Sequence, residues 1–256
     1  MITAGMDAGA KTLKVVILRE GNIIGKGIAT EGLDPKEAFD KAWEAALKEA
    51  GISRNDVKKI MATGSRREEL TDFDDEVSEV SADARAMVSI NREVKTILDV
   101  GAEEGRAIRI TPEGKVVDFA VNEKCAAGAG AFIEAMSRAM QVSIEEFGTL
   151  SLESTKVIPI NAQCAIFAES EVVSLVHDET DRPDICKAVY DAIAERLTAM
   201  ARRVRIEPKI GLVGGAALSV GLKSSLKASL EVDELYIPED PEFFGAYGAS
   251  LLAAEN

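Results

Sequence analysis

The same local pattern occurs twice in this chain: a short apolar strand, an Asp-x-Gly turn and a second strand. In the first copy the apolar run 2–6 leads into Asp7-Ala8-Gly9, and a second apolar run covers residues 13–19. In the second copy the apolar run 96–100 ends in Asp99-Val100 before Gly101, and strand-like residues 106–110 follow. A repeated unit of this kind indicates an internal duplication, and therefore two similar α/β halves.

Two such halves facing one another would bring two carboxylates and two glycine turns to opposite sides of one cleft. That arrangement suits a magnesium-nucleotide, because Mg²⁺ takes oxygen ligands and glycine-bearing turns bind phosphates through backbone N–H groups. Lys14, after the first turn, adds a cation to the same region. Either hairpin taken alone is most simply an ordinary turn.

Two cysteines occur in matched settings, each in an Asn-x-x-Cys-Ala pattern that runs into a helical pattern. Cys125 follows Asn122, and Cys164 follows Asn161. A helix N-terminus favours negative charge through its macrodipole and unpaired N–H groups, so it stabilises a thiolate or an anionic cofactor. A 4Fe-4S cluster usually takes four thiolates, so this chain would supply half of the ligands and a second subunit the rest. The plainer alternative is that both are buried structural cysteines.

Composition limits the function classes that remain. The chain has 256 residues, 46% of them hydrophobic, which is enough to bury a full core in one or two domains. The net charge of -14 argues against a nucleic-acid groove. No apolar run is long enough to span a bilayer, and the first residues lack the basic start of a signal peptide. Three cysteines, an odd number, favour a reducing cytoplasm over a disulfide framework.

The remaining periodicity predicts an alternation of helices and strands. Apolar residues at helical spacing predict five further helices, over residues 35–50, 80–90, 184–205, 218–230 and from 241 onwards. Short apolar runs predict strands over residues 23–29, 59–62, 115–121 and 209–213, and an edge-like strand over 233–238. The acidic stretch 72–79 is interpreted as a solvated loop. The predicted boundary divides the chain into residues 1–95 and 96–256, with the last helix free to pack back onto the first half.

A glycine pair, Gly214-Gly215, lies between a predicted strand and a predicted helix. Such a pair lets a flat ring or a ribose lie against the backbone, although close packing of the helix on the sheet explains it equally well. The third cysteine, Cys186, falls inside a helical pattern and is interpreted as a packing residue.

These motifs together resemble those of a known family. The duplicated Asp-x-Gly hairpin followed by Gly214-Gly215-Ala216 resembles the actin, sugar-kinase and Hsp70 superfamily, whose members bind ATP between two ribonuclease-H-like domains. The segments around Cys125 and Cys164, with Pro241-Glu-Phe-Phe-Gly-Ala-Tyr-Gly-Ala, look like the BadF/BadG/BcrA/BcrD-type ATPase family. That family holds the activators of 2-hydroxyacyl-CoA dehydratases and the ATP-binding subunits of benzoyl-CoA reductases, and the resemblance spans nearly the whole chain.

The resemblance implies specific roles for the matching residues. It implies that ATP or ADP binds with Mg²⁺, and that a 4Fe-4S cluster is shared between two subunits through Cys125 and Cys164. The implied catalytic residues are Asp7, Asp99 and Glu104; the implied nucleotide-binding residues are Gly9, Lys11, Thr12, Lys14, Gly101, Ala102, Glu103, Gly214, Gly215 and Ala216.

The chain departs from the usual pattern of the family at both turns. Activators commonly carry a serine or threonine after the position of Gly9, where this chain has Ala10-Lys11. Their second turn commonly reads Asp-x-Gly-Gly-Gln-Asp, where this chain has Asp99-Val-Gly-Ala-Glu-Glu. The second departure looks more like a small ATPase subunit of a benzoyl-CoA reductase. We therefore expect an ATP-hydrolysing electron-transfer subunit of that enzyme, with a homodimeric dehydratase activator as the alternative.

The implied partners follow from this expectation. They are a paralogous ATPase subunit or a second copy of this chain, CoA-thioester-reducing subunits and a ferredoxin-like electron donor, with no nucleic acid or membrane. Two rival functions belong to other classes: a carbohydrate kinase, and a non-catalytic nucleotide-dependent binding protein. The stretch between Ala62 and Lys95 looks too short for the sugar-binding lobe that a kinase would need.

Overall fold

The computed structural model describes residues 1–30, 35–122, 129–160 and 165–255. The chain divides into two compact units. The first contains Met1–Val94, Ile110–Val117 and Glu239–Asn256; the second contains Lys95–Arg109 and Asp118–Pro238. The C-terminal end of the chain therefore returns to the first unit.

A five-stranded mixed sheet forms the centre of the first unit. Its strands are β1 (Ile2–Ala8), β2 (Thr12–Arg19), β3 (Asn22–Thr30), β4 (Lys59–Thr63) and β5 (Asp75–Glu76), in the order β3-β2-β1-β4-β5. The first three strands are antiparallel neighbours, whereas β4 is parallel to β1 and β5 is parallel to β4. The three strands that the sequence predicts at the start of the chain are confirmed.

A four-stranded sheet forms the centre of the second unit. Its strands are β6 (Thr96–Val100), β7 (Gly105–Ile110), β8 (Val116–Val121) and β9 (Ile210–Val213), in the order β8-β7-β6-β9. As in the first unit, the leading strand pairs with an antiparallel partner on one side and a parallel strand on the other. The shared order of four strands confirms the internal duplication that the repeated turn predicts.

Helices cover both faces of the first sheet. They are α1 (Pro35–Ala50) on one face and α8 (Phe244–Glu255) on the other, and α2 (Glu79–Ile90) packs against α8. On one face, Phe39 and Trp43 of α1 pack with apolar strand residues such as Met6 and Val15. On the other face, Ala246 and other small residues of α8 pack on the sheet. The amphipathic spacing of α1 therefore predicts its packing correctly.

The second unit contains five helices among the described residues. They are α3 (Gly130–Ala139), α4 (Ile144–Ser151), α5 (Ala165–His177), α6 (Arg182–Arg203) and α7 (Val220–Leu230). Phe132, Phe147 and Tyr190 are large, fully buried side chains in one continuous core with sheet residues. Within the described ranges, no helix is long and apolar enough to cross a membrane.

Three local predictions differ from the structure. The expected edge strand over 233–238 is reduced to one bridge between Gly211 and Tyr236, since Pro238 has no N–H to extend the ladder. The acidic stretch 72–79 is only partly a loop, because Asp75–Glu76 adds a short strand beside β4. Helix α4 was not predicted, although its cap is readable: Ser143 accepts a hydrogen bond from the N–H of Glu146, the spacing of a capping box.

Small residues allow α8 to lie close to its neighbours in the first unit. A Cβ built on Gly5 of β1 would lie 2.0 Å from the carbonyl oxygen of Ala246. A Cβ built on Gly248 would lie 1.9 Å from the carbonyl oxygen of Ala82 in α2. Both contacts are with backbone atoms, so a side chain fits only if a helix moves.

We expect Gly248→Ala to lower the free energy of unfolding by about 1–3 kcal/mol, the usual range for overpacking. The matched control is Ala254→Ser on the exposed side of the same helix, with an expected change within about 0.5 kcal/mol. Urea unfolding followed by circular dichroism measures both. Equal stability of the two variants would contradict the close packing of α8 on α2.

Candidate nucleotide site

The first Asp-x-Gly turn joins β1 to β2 and carries a cross-strand ion pair. Asp7 and Lys14 are directly opposite in the antiparallel ladder. Lys14 Nζ lies 3.1 Å from Asp7 Oδ2, and the two side chains are 11% and 14% exposed. The N–H of Gly9 donates to the carbonyl oxygen of Thr12 at 3.1 Å, which closes the turn. A Cβ on Gly9 would lie 3.1 Å from Lys14 Nζ, so the glycine leaves room for the ammonium group.

Two further segments of the first unit approach Asp7. At the start of α8, a Cβ built on Gly245 would lie 3.5 Å from Asp7 Oδ2 and 3.7 Å from Thr63 Cγ2. Thr63 lies beside Asp7 on the parallel strand β4, and its buried hydroxyl has no hydrogen-bond partner in the described part of the chain. A buried unpaired hydroxyl is costly, so Thr63 is suited to a bound water or ligand next to Asp7.

The second Asp-x-Gly turn joins β6 to β7 and carries a larger charge cluster. Arg106, directly opposite Asp99 in the ladder, donates to Asp99 Oδ2 at 2.5 Å. The same guanidinium donates to Glu104 Oε2 at 2.5 Å. Arg106 is 7% exposed and Asp99 is 9% exposed, so the charges are largely withdrawn from water and compensate one another. The turn is closed by the N–H of Gly101, which donates to the carbonyl oxygen of Glu104 at 2.9 Å.

The two glycines after β9 differ in their surroundings. Gly214 has φ +85°, and a Cβ there would lie 2.5 Å from both Asp99 Oδ1 and the carbonyl oxygen of Val100. Packing alone therefore requires glycine at this position. A Cβ on Gly215 would meet no atom of the described part of the chain within 4 Å. Packing among the residues that the structure describes does not explain this glycine, so the second position of the pair favours the ligand interpretation.

The second turn is joined directly to helix α3. The N–H of Gly130 donates to the carbonyl oxygen of Gly101 at 2.9 Å, and the N–H of Ala131 donates to that of Ala102 at 2.7 Å. The sequence prediction treated the first N–H groups of this helix as unpaired, but these two already donate hydrogen bonds to the turn. The helix after Cys125 is thus held by the same turn that follows Asp99.

A buried carboxylate anchors the stretch that precedes Cys164 in sequence. Asp184 Oδ1 accepts hydrogen bonds from Ser154 Oγ at 2.8 Å, the N–H of Thr155 at 2.9 Å and the N–H of Lys156 at 3.0 Å. The hydrogen bond from Ser154 is the main reason that the pKa of Asp184 is lowered. The charge on Asp184 therefore stabilises residues 154–156 against the start of α6.

The structure places the predicted site residues in two groups. Within the first unit, Asp7, Gly9 and Lys14 are in contact, with Lys11 and Thr12 in the same turn. Within the second unit, Asp99 lies against Gly214 and is joined to Glu104 through Arg106, whereas Glu103 is exposed. Gly101 and Ala102 hold α3, and Gly215 and Ala216 begin a short 3₁₀ turn.

The three cysteines fall into two classes. Cys125 and Cys164 lie outside the described residues. Helices do begin after them in sequence, at Gly130 and Ala165, as predicted. Cys186 is fully buried in α6, and burial raises the pKa of its thiol to about 12. The interpretation of Cys186 as a packing residue is confirmed.

Sequence reasoning missed three residues that the structure brings to the turns. Arg106 and Thr63 are polar side chains on strands, and Gly245 lies at a helix start. Arg106 is seven residues after Asp99, as Lys14 is after Asp7. Comparing the two copies position by position would have found it.

Two sheets of matching strand order, each with an Asp-x-Gly turn, define the α/β fold of the actin, sugar-kinase and Hsp70 superfamily, as predicted. The model of the BadF/BadG/BcrA/BcrD ATPase family matches residues 4–253. The chain belongs to this family.

Characterised relatives cover nearly its whole length. The activator of lactoyl-CoA dehydratase from Anaerotignum propionicum is 34% identical over 259 residues, spanning 100% of this chain and 98% of that protein. One of the benzoyl-CoA reductase subunits from Thauera aromatica is 31% identical over 268 residues, spanning 99% and 93%. A solved structure, the activator of 2-hydroxyisocaproyl-CoA dehydratase from Clostridium difficile with bound ADPNP, has a TM-score of 0.94 at 30% identity and covers 100% of this chain and 95% of its own.

We expect Gly215→Ala to weaken ADP binding roughly tenfold, because one extra methyl group in a fitted site costs about that much. Thermal stability should stay unchanged, since the added Cβ meets no atom of the described residues. Calorimetric titration with ADP and a melting curve measure the two effects. The comparison variant Gly214→Ala should lose stability, because its Cβ would strike Asp99 and Val100. Unchanged ADP affinity in Gly215→Ala would refute the ligand interpretation of this glycine.

Proposed function

We propose that this chain is an ATP-hydrolysing activator that delivers electrons to a CoA-thioester dehydratase. The observation that carries the proposal is the pair of hydrogen bonds from Gly130 and Ala131 to the carbonyl oxygens of Gly101 and Ala102. They connect the turn after Asp99 to the helix that follows Cys125. A change at the nucleotide turn can therefore move the helix without any intervening flexible segment.

The first turn is suited to nucleotide phosphates. Lys14 offers an ammonium group with one carboxylate partner, and lysine is a flexible point charge that can turn from a carboxylate to a phosphate. Mg²⁺ usually keeps several waters and takes one or two carboxylates together with phosphate oxygens. Asp7 fits an ion of this kind, because the Thr63 hydroxyl beside it has no hydrogen-bond partner among the described residues. Bound Mg²⁺ would neutralise the charge that develops on the transferred phosphoryl group.

The proposed switch consists of the helices that follow the two cysteines. Helix α3 packs against α5, and Phe132 and Val172 share one buried core. Because packed helices move as discrete bodies, a displacement of α3 at Gly130 is passed on to α5. Nucleotide binding and hydrolysis would in this way supply free energy for a difficult one-electron reduction.

Cys125 and Cys164 are the proposed ligands of a 4Fe-4S cluster shared with a second subunit. The cluster would supply one-electron chemistry at low potential. Helix α5 supports an association of this kind through its exposed apolar side chains. Phe167 is 69% exposed, and Val173 and Val176 are 41% and 44% exposed. Exposed apolar residues grouped on one helix are typical of a protein interface.

A second candidate is the ATP-binding subunit of a benzoyl-CoA reductase. It is favoured by the second turn, in which Ala102 and Glu103 replace the Gly-Gln pair that activators commonly carry. The similarity to the reductase component from Thauera aromatica also supports it. In that case a paralogous ATPase chain, and not a second copy of this one, would complete the ligand set.

We expect Asp7→Asn and Asp99→Asn each to lower ATP turnover by roughly 10²–10³-fold, because each removes a charge that organises the developing phosphoryl transition state. The matched control is Asp118→Asn, an exposed aspartate on β8, which should keep wild-type turnover. Phosphate release from purified protein is the measurement. Wild-type rates in both turn variants would show that the duplicated turns are not the ATPase site.

We expect Cys125→Ser and Cys164→Ser each to abolish iron and acid-labile sulfide in anaerobically prepared protein while ADP affinity stays near wild type. Cys186→Ala is the control, since its thiol is buried and protonated, and it should retain the iron. Retained iron in Cys164→Ser together with lost iron in Cys186→Ala would overturn the ligand assignment.

Native mass spectrometry of the same preparations distinguishes the candidates. A cluster-loaded homodimer that activates a separate dehydratase supports the activator, and a heteromer with a paralogue supports the reductase component. A cluster-loaded monomer contradicts a shared cluster. Wild-type protein without iron or sulfide would favour a carbohydrate kinase or a non-catalytic nucleotide-dependent binding protein.

A further inference from the structure

The two units carry an acid-base pair at the same place in their sheets. Asp7 faces Lys14 across the β1-β2 ladder, and Asp99 faces Arg106 across the β6-β7 ladder. In both copies the cation lies seven residues after the aspartate. The duplication has thus preserved a cross-strand counter-ion behind each turn while changing its chemistry.

The change from lysine to arginine alters what the cation can do. Lys14 bonds one carboxylate at 3.1 Å. Arg106 bonds two, Asp99 Oδ2 and Glu104 Oε2, each at 2.5 Å. A guanidinium is a rigid planar fork of five donors, whereas an ammonium is a single charge on a flexible stem. The guanidinium group of Arg106 is therefore held in one position by two carboxylates.

The two carboxylates that Arg106 joins are located on either side of the second turn. Asp99 precedes Gly101 and Ala102, and Glu104 follows them. A side chain that bonds both therefore fixes the width of the loop between them. This loop presents the two carbonyl oxygens that hold α3, so the guanidinium supports the helix connection as well as the carboxylates.

The same contacts determine which cation can enter the turn. Asp99 and Glu104 are oxygen ligands of the kind that Mg²⁺ and Mn²⁺ take. In this structure the oxygens Asp99 Oδ2 and Glu104 Oε2 accept hydrogen bonds from Arg106, and Asp99 Oδ1 lies against Gly214. A divalent ion at these oxygens would have to displace the hydrogen bonds from Arg106. It would also lie next to the positive charge of the guanidinium group.

We propose that Arg106 is the positioning residue of the second turn: it holds Asp99 and Glu104 in one arrangement and closes this turn as a direct site for a divalent metal ion. Asp99 would then act on the reaction as an oriented carboxylate that ligates no metal ion. The role of Asp99 in hydrolysis rests on the proposed ATPase activity, whereas the exclusion of a divalent metal ion from the second turn does not.

The test uses the purified full-length chain and four variants. Arg106→Gln removes the charge, Arg106→Lys keeps it without the fork, and Arg106→Gln with Glu104→Gln removes one freed carboxylate as well. The control is Arg109→Gln, on the same strand, whose guanidinium pairs with Glu207 at 3.3 Å away from the turn. The measurements are Mn²⁺ binding without nucleotide by electron paramagnetic resonance, ADP affinity, and kcat and KM for ATP.

We expect Arg106→Gln to bind Mn²⁺ roughly tenfold more tightly than wild type, because a nearby positive charge has been removed and two carboxylates freed. Its kcat should fall by about 10- to 100-fold, the cost of a misplaced catalytic group. ADP affinity should change by less than about threefold, since the lost interaction matters mainly in the transition state. The double variant should lose the gain in Mn²⁺ affinity, and Arg109→Gln should match wild type.

Unchanged Mn²⁺ affinity in Arg106→Gln, or a wild-type kcat, overturns the proposal. If that variant does not fold, Arg106→Lys decides the matter: an ammonium lacks the rigid planar fork that holds both carboxylates in one arrangement, so Mn²⁺ binding must still tighten and kcat must still fall. A wild-type protein that binds ADP without hydrolysing ATP would instead refute the proposed ATPase function. The Mn²⁺ affinity of Arg106→Gln would then be the test of whether Arg106 excludes a metal ion.

Discussion

Two hydrogen bonds between main-chain atoms determine how the second unit is organised. They join Gly130 and Ala131, at the start of α3, to the carbonyl oxygens of Gly101 and Ala102. A helix start needs partners for its first N–H groups, and here a turn supplies two of them. The turn and the helix consequently share one backbone network, and neither can move far without the other. Because backbone atoms make this link, it depends on the shape of the loop more than on the identity of the side chains.

The shape of that loop depends in turn on close packing behind it. Gly214 lets β9 approach Asp99 and Val100 to a distance that a Cβ would prevent, and Arg106 bonds the carboxylates on both sides of the turn. Largely buried charges cost free energy unless they are paired and hydrogen bonded. The cluster meets this condition through one arginine, which makes it sensitive to any change that removes a single partner.

The comparison of the two units shows how a duplication can diverge while its fold is kept. Strand order and the register of the acid-base pair are the same in both. The first unit uses a lysine with one carboxylate partner and packs α8 against the sheet through Gly5. The second uses an arginine that bonds two carboxylates and attaches a helix to its turn. The first turn is therefore the more adaptable, and the second is the more rigidly held.

The sequence by itself determined the hairpins, the duplication, most helices and the family, because these depend on local periodicity and on motifs of adjacent residues. It did not determine which residues lie opposite one another in the sheets. Arg106 became part of the site only when β6 and β7 paired, and the two glycines at 214 and 215 became distinguishable only when β9 was laid beside β6. The bridge at Tyr236 and the short strand at Asp75 likewise depend on neighbours distant in sequence. Tertiary structure decided these points because hydrogen-bond register and close packing join residues that no local pattern connects.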